Sequence, residues 1–311
     1  MHAQLGPYLD ALVRDYGPGY LGTDPLGEVR SFRDPDNLEV AGFLAAGLSF
    51  GRVEIILAHL RDLWDRLEHR PAALVDAWSA GDGRRVRGFR HRWVRDVDLA
   101  AVLAALGRTR RRHGSLRALF VEGYDPGEAD LRGSLARFVD GIRREVRIGG
   151  RRLAEPELPR GVRTFLSDPG RGGACKRLNL YLRWLVRPDD GVDLGLLPGV
   201  RTDQLVVPLD THVARLGHNL GLTRRRTPDW KMAGEITDAL RRFDPVDPVR
   251  YDFALSRLGI LDRCPRRVDA VHCRACSLLP VCIRGKAYRG ARAGTGRVAG
   301  TGVAVPGRGA R

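Results

Sequence analysis

Four cysteines near the C-terminal end constrain this chain more than any other feature. They follow the spacing Cys-x8-Cys-x2-Cys-x5-Cys, and they are Cys264, Cys273, Cys276 and Cys282. Four thiols this close together are typical of a metal centre in a reducing compartment, where disulfides are rare. The sequence therefore predicts a compact loop over residues 264–282 that wraps around a metal group.

The spacing also bears on which metal group the loop holds. Zinc sites built from cysteines usually combine two Cys-x2-Cys knuckles, whereas this chain has one such pair with a single cysteine on either side. That arrangement suits a loop wrapped around a [4Fe–4S] cluster. We expect a [4Fe–4S] cluster, and tetrahedral zinc is the alternative.

The charge of the chain indicates a polyanionic partner. Its 311 residues include 53 lysines and arginines against 37 acidic residues, which gives a formal net charge of +16. Such a surplus most often serves nucleic-acid binding. Only three of the basic residues are lysines, namely Lys176, Lys231 and Lys286. Codon bias in a GC-rich genome explains the excess of arginine, so a lysine retained against that bias is a better functional candidate.

The apolar pattern predicts an all-α protein. Helical periodicity recurs along the chain, for example over residues 53–67, and the best strand candidate covers only residues 205–207. The longest apolar stretch is too short to cross a bilayer, and the N-terminus does not resemble a signal peptide. We expect a cytoplasmic protein without membrane contact. Residues 285–311 lack apolar periodicity and acidic residues, which predicts a disordered basic tail.

A second motif, Pro-Leu-Asp-Thr-His-Val-Ala-Arg, lies at residues 208–215, upstream of the cysteines. Asp210 precedes an apolar-periodic helix, and an aspartate there is ordinarily an N-cap. The motif and the four-cysteine loop together resemble the endonuclease III branch of the helix-hairpin-helix (HhH-GPD) DNA glycosylase superfamily. In that branch the first cysteine interval is two residues shorter, and the other two intervals match.

The resemblance covers roughly residues 160–284. The segments KRLNLYLRW, PLDTH and YDFALSRLGI also resemble an uncharacterised bacterial family of the same superfamily. The resemblance implies a two-lobed fold over residues 1–284, with lobe A at about 98–220 and lobe B from 1–97 plus 221–284. It further implies a monomer that acts on double-stranded DNA carrying a lesion.

The resemblance also implies a chemistry for Asp210. Its carboxylate would stabilise positive charge at C1′ of a flipped-out nucleotide, or activate the nucleophile that attacks there. The function implied is a DNA repair N-glycosylase, either with or without AP lyase activity. The alternative is a nucleic-acid-binding protein that has the same fold and a structural metal but no activity.

Bifunctional members of the superfamily carry a nucleophilic lysine in the hairpin. The hairpin-like segment at residues 197–200 is not followed by a lysine and lies only nine residues before Asp210. Lys176 opens a predicted helix after a glycine turn, 34 residues before Asp210. This longer separation resembles the archaeal 8-oxoguanine glycosylases. We expect Lys176 to be the nucleophile, and a phosphate-contacting lysine is the alternative.

The remaining candidates concern DNA contacts. Amide groups of a glycine turn can hold a phosphate at the start of a helix, which makes Gly172, Gly173 and Arg177 candidates for the DNA backbone. Candidates for the base pocket are aromatic or cationic, and each is also compatible with a core or surface position; they are Phe50, Arg52 and Trp184. For His212 and Asp252 we expect structural hydrogen bonds.

Overall fold

The computed structural model describes residues 4–261, 264–267 and 269–288, and these residues are predominantly helical. In the N-terminal half the helices are α1 (Leu5–Asp15), α2 (Pro25–Val29), α3 (Pro35–Leu48), α4 (Val53–Arg66), α5 (Pro71–Asp76), α6 (Asp96–His113), α7 (Leu116–Glu122) and α8 (Arg132–Glu145). In the C-terminal half they are α9 (Arg160–Phe165), α10 (Lys176–Val186), α11 (Thr211–Leu220), α12 (Trp230–Arg241), α13 (Asp252–Ile260) and α14 (Ala270–Ala275). The predicted predominance of helices is confirmed.

Shorter elements connect these helices. The 3₁₀ helices are Pro18–Thr23, Ala80–Val86, Glu155–Glu157, Pro169–Arg171, Thr202–Gln204, Pro248–Tyr251 and Arg284–Tyr288. Two antiparallel two-stranded hairpins pair β1 (Arg90–His91) with β2 (Val94–Arg95) and β3 (Arg147–Ile148) with β4 (Arg151–Arg152).

The best strand candidate in the sequence, residues 205–207, does not form a strand. These residues are buried between helices and have no strand assignment. The amide of Val207 donates instead to the hydroxyl of Thr237 on α12, at 3.1 Å. A side chain therefore satisfies the backbone group that a neighbouring strand would otherwise satisfy.

Helix α3 occupies the centre of the molecule. Every residue from Glu39 to Leu48 is buried, as expected for a helix that is surrounded by other elements. It packs against α2, α5, α9 and α10. Burial raises the pKa of Glu39, and the guanidinium groups of Arg110 and Arg117 pair with its carboxylate. These pairs tie α3 to α6 and α7.

The buried apolar side chains form one continuous core from Leu5 to Val281. The division into lobes A and B stays a prediction. None of the described helices has the length and apolar character needed to span a membrane. Most of the predicted basic tail, residues 289–311, lies outside the described residues.

Candidate active site

A cleft of about 690 Å³ opens beside the N-termini of α10, α11 and α13 and the loop that follows α3. Five of the residues singled out in the sequence line it, although they come from three separate segments of the chain. They are Phe50, Arg52, Lys176, Arg177 and Asp210. The fold thus brings most of the predicted cleavage and pocket residues to one place.

Asp210 is the N-cap of α11. Its Oδ1 atom accepts hydrogen bonds from the amides of His212 and Val213, both at 2.8 Å. Two amide donors at the helix N-terminus fix the position of this carboxylate. Both cap bonds use Oδ1, so the cap does not engage Oδ2. The structural hydrogen bond expected of His212 is present, since its Nδ1 lies 3.2 Å from the guanidinium group of Arg215.

Lys176 is the first residue of α10, and its side chain reaches across to the end of α3. The Nζ atom donates to the carbonyl oxygen of Ser49 at 2.9 Å. Burial of the ammonium group lowers the pKa of Lys176, whereas the carboxylates of Asp210 and Asp24 act in the opposite direction. Asp210 therefore influences the charge of Lys176, and the neutral amine forms at a lower pH than it would on a protein surface.

The turn before α10 has an unusual backbone. Cys175 is buried and has a φ of 44°, in the left-handed region, and Gly172 has a φ of 78°. The amide of Gly172 donates to the carbonyl of Pro169 at 3.1 Å. The prediction that Gly172 offers this amide to a phosphate is therefore wrong, because the turn already uses it. Gly173 is exposed and does not line the cleft.

The predicted pocket residues take different positions. Phe50 stacks on Trp93 with ring centroids 4.6 Å apart, and the guanidinium group of Arg177 lies 5.3 Å from the Phe50 ring. Arg52 stands at the mouth of the cleft with 83 % of its side chain exposed. Trp184 is fully buried in the core and does not line the cleft. The prediction for Trp184 is wrong, because its position on α10 faces inward.

Asp252, the first residue of α13, also lines the cleft. Its Oδ2 atom accepts from Arg183 at 2.7 Å, which confirms the structural hydrogen bond expected from the sequence. Its Oδ1 atom is buried and has no hydrogen-bond partner. Burial raises the pKa of Asp252 to about 6, and the charge of Arg183 opposes this rise. The cleft thus contains a second carboxylate in a setting different from that of Asp210.

Sequence reasoning missed two further cleft residues, Asp24 and Arg257. Their side chains form a buried ion pair with a 2.8 Å separation between Arg257 Nη2 and Asp24 Oδ2. Asp24 belongs to no motif, and Arg257 lies within the segment YDFALSRLGI without having been singled out there. Their pairing across α2 and α13 had no signal in a single sequence.

Gly259 explains how α13 approaches α11. A β-carbon built on Gly259 would lie 2.6 Å from the β-carbon of His212, closer than side chains tolerate. The absence of a side chain at this position lets Asp252 and Asp210 lie at one cleft. The Gly259–His212 contact is therefore part of the geometry of the site.

The four predicted metal ligands meet in a second, much smaller cavity of about 30 Å³. Its walls include Cys264, Cys273, Cys276 and Cys282. Two N–H groups point at these sulfurs: Asn219 Nδ2 lies 3.5 Å from Cys264 Sγ, and the amide of Gly285 lies 3.3 Å from Cys282 Sγ. Within the described residues, no three His, Cys, Asp or Glu side chains are arranged to hold a single metal ion.

Helix α11 connects the two cavities. Asp210 caps its N-terminus at the cleft, and Asn219 near its C-terminus contacts Cys264. The carbonyl of Asn219 also accepts from the amide of Ile283 at 2.7 Å, just beyond the last cysteine. The cysteine loop is thus attached to the helix that positions Asp210.

A family model described as "Protein of unknown function (DUF2400)" matches residues 24–261. The chain belongs to the DUF2400 family. The DUF2400 region contains every residue that lines the cleft, from Asp24 to Ile260, and ends before the first of the four clustered cysteines. No curated protein and no solved structure matches the chain.

Proposed function

We propose that this DUF2400 protein is a DNA repair N-glycosylase with AP lyase activity that removes a damaged base from double-stranded DNA. The observation that supports the proposal is the convergence of Lys176 and Asp210, 34 residues apart in the chain, on one cleft. A lysine with a lowered pKa beside a carboxylate is the arrangement that attack at a sugar carbon requires.

Each residue has a role in this reaction. Lys176, as the neutral amine, attacks C1′ of a nucleotide that has left the base stack. Asp210 stabilises the positive charge that develops on the sugar as the bond to the base breaks. The cleft volume lies within the range of about 300–1,000 Å³ that is usual for ligand sites.

The charge of the protein supports DNA as the partner. Arg177 lies in the cleft, and Arg52 stands exposed at its mouth. The β1–β2 hairpin adds exposed arginines next to the Phe50–Trp93 stack, at positions 90, 92 and 95. Contacts of this kind bind phosphates without reading sequence, and they make affinity fall as salt rises.

The cysteine cavity supports a metal centre as part of the proposal. Four thiols on one cavity, with N–H donors aimed at two of the sulfurs, fit a [4Fe–4S] cluster. Zinc is the alternative, and it fits less well because no three of the described side chains are arranged to hold a single metal ion. Cys264, Cys273, Cys276 and Cys282 would hold the group, which would supply folding energy to the loop and take no part in the cleavage step.

Borohydride trapping tests the proposal. The wild-type protein and the variants Asp210→Asn and Lys176→Gln would be mixed with duplexes that each carry one oxidised, alkylated or deaminated base. We expect the wild type to release one base class and to form a covalent adduct. Asp210→Asn should slow base release by about 10²–10³-fold, and Lys176→Gln should form no adduct.

Lys231→Gln is the matched control, because Lys231 is an exposed lysine on α12 outside the cleft. It should form as much adduct as the wild type. Base release without an adduct would support glycosylase activity and exclude Lys176 as the nucleophile. Tight, salt-dependent binding of every duplex with no base release would favour the non-catalytic DNA-binding alternative.

A further inference from the structure

Among the described residues of the cleft wall, Asp252 has a carboxylate oxygen, Oδ1, that the roles of Lys176 and Asp210 leave unexplained. The side chain is about 2 % exposed, and Oδ1 has no hydrogen-bond partner although it belongs to a residue of the cleft wall. Buried carboxylate oxygens are ordinarily satisfied, and an exception calls for an explanation.

The ion pair with Arg183 accounts for only one oxygen of this carboxylate, because Arg183 donates to Oδ2 alone. Arg183 also donates two hydrogen bonds to Asp193, from Nε at 3.1 Å and from Nη2 at 3.0 Å. Asp193 is fully buried away from the cleft and pairs with Arg187 as well. Asp252 adds a second negative charge to Arg183 at the wall of the cleft, and its Oδ1 atom is left without a partner.

We propose that Asp252 is the proton-relay residue of this cleft, which accepts a proton from the Lys176 ammonium group and passes it to the departing base. The proposal rests on the proposed glycosylase function. It divides the work between two carboxylates. Asp210 is positioned by its two cap bonds and stabilises charge, while Asp252 has an oxygen without a hydrogen-bond partner that can take up and release a proton.

The protons and electron pairs balance in this sequence. The Asp252 carboxylate takes a proton from the Lys176 ammonium group, which leaves a neutral amine and a carboxylic acid. The amine nitrogen forms a bond to C1′ and becomes a secondary ammonium group, while the C1′–N bond to the base breaks and its electron pair stays with the base. Asp252 then gives its proton to the base nitrogen and returns to the carboxylate.

The charges around Asp252 suit a group that changes protonation near neutral pH. Arg183 favours the carboxylate, and Asp210 and Asp193 favour the carboxylic acid. Burial is the largest influence and raises the pKa of Asp252 to about 6, so the carboxylate predominates at pH 7. The charged groups on the surrounding elements are Lys176 and Arg183 on α10, Asp193 after α10, Asp210 before α11, Asp24 before α2 and Arg257 on α13 itself.

The test is the pH dependence of single-turnover base release between pH 5 and pH 8.5. The wild-type rate should fall below about pH 6, where Asp252 becomes protonated before it can accept the lysine proton. Asp252→Asn should be slower by about 10²-fold or more at pH 7 and should lose this acidic limb. Asp252→Glu should restore the limb in part.

Asp193→Asn is the matched control, since it removes a buried carboxylate from the same arginine without altering the cleft wall. It should retain the acidic limb, shifted to lower pH because Asp193 favours the carboxylic acid form of Asp252, and lose less than tenfold in rate. Two results would overturn the relay without contradicting the proposed glycosylase function. One is a wild-type rate without an acidic limb near pH 6, and the other is an Asp252→Asn profile equal to that of Asp193→Asn. A wild-type protein that releases no base would overturn the proposed function, and the relay with it.

Discussion

The cleft and the cysteine cavity are built in opposite ways. The cleft takes its polar groups from segments far apart in the chain and holds them with helix caps, a buried ion pair and close helix packing. The cysteine cavity takes all four thiols from residues 264–282, with N–H contacts to two of the sulfurs. The cleft is therefore a product of core packing, whereas the cysteine cavity is formed within one short segment of the chain.

The largest effect on stability should come from the cysteine cavity. Cys276→Ser removes one of the four thiols and with it the proposed metal, and the loss of a bound metal is among the most damaging changes to a fold. We expect a loss on the order of 4 kcal/mol in the free energy of unfolding. Chemical unfolding together with iron, sulfide and zinc analysis measures both effects.

Cys175→Ser is the control, because Cys175 is a buried cysteine outside that cavity. It should leave the metal content unchanged. Equal metal content in Cys276→Ser and the wild type would show that the cavity is an ordinary part of the core, and the contrast between the two regions would disappear.

A smaller effect should follow from filling the gap between α11 and α13. Gly259→Ala places a β-carbon against His212, and such overpacking costs about 1–3 kcal/mol. It should also slow base release by moving Asp210 relative to Lys176. Gly234→Ala is the matched control on α12, where a β-carbon meets open space and alanine favours the helix by about 0.5–1 kcal/mol. Equal unfolding free energies in the two variants would contradict the packing account.

The smallest effect concerns pH. An aspartate titrates near pH 3.9 in an unfolded chain, whereas the folded-state pKa of Asp252 is raised to about 6. Asp252 therefore favours folding most at acidic pH, and this contribution is lost as pH rises through 6. Between pH 5 and pH 7.5, Asp252→Asn should gain about 1 kcal/mol relative to the wild type. Urea unfolding at both pH values measures this, and a difference that does not change with pH would contradict it.

The sequence was most informative where chemistry depends on residue type. Asp210 and Lys176 were identified as candidates from a motif, a helix start and the scarcity of lysine, and the structure brings them to one cleft. Periodicity located most helices because an apolar face repeats with the helical turn. It could not tell which face of α10 meets which neighbour, and for that reason Trp184 was assigned to the pocket when it belongs to the core.

The features of the site that the sequence did not predict depend on contacts between residues far apart in the chain. The carbonyl of Ser49 meets Lys176, and Asp24 meets Arg257, because α3 and α13 pack against elements distant in the chain. A single sequence carries no trace of such pairs. The turn at Gly172 was recognised, but only the folded backbone shows that its amide is already bonded to Pro169.

In the proposed reaction, the hydrogen bond from Lys176 to Ser49 would also decide when the lysine side chain can move. A carbonyl oxygen accepts a hydrogen bond from an ammonium group but is too weak a base to take its proton, so the bond positions the side chain and leaves it charged. Hydrogen bonds from a charged donor are roughly twice as strong as those from a neutral one. We therefore expect the bond to Ser49 to weaken when the ammonium group loses its proton, which would free the side chain to turn as its nitrogen becomes nucleophilic.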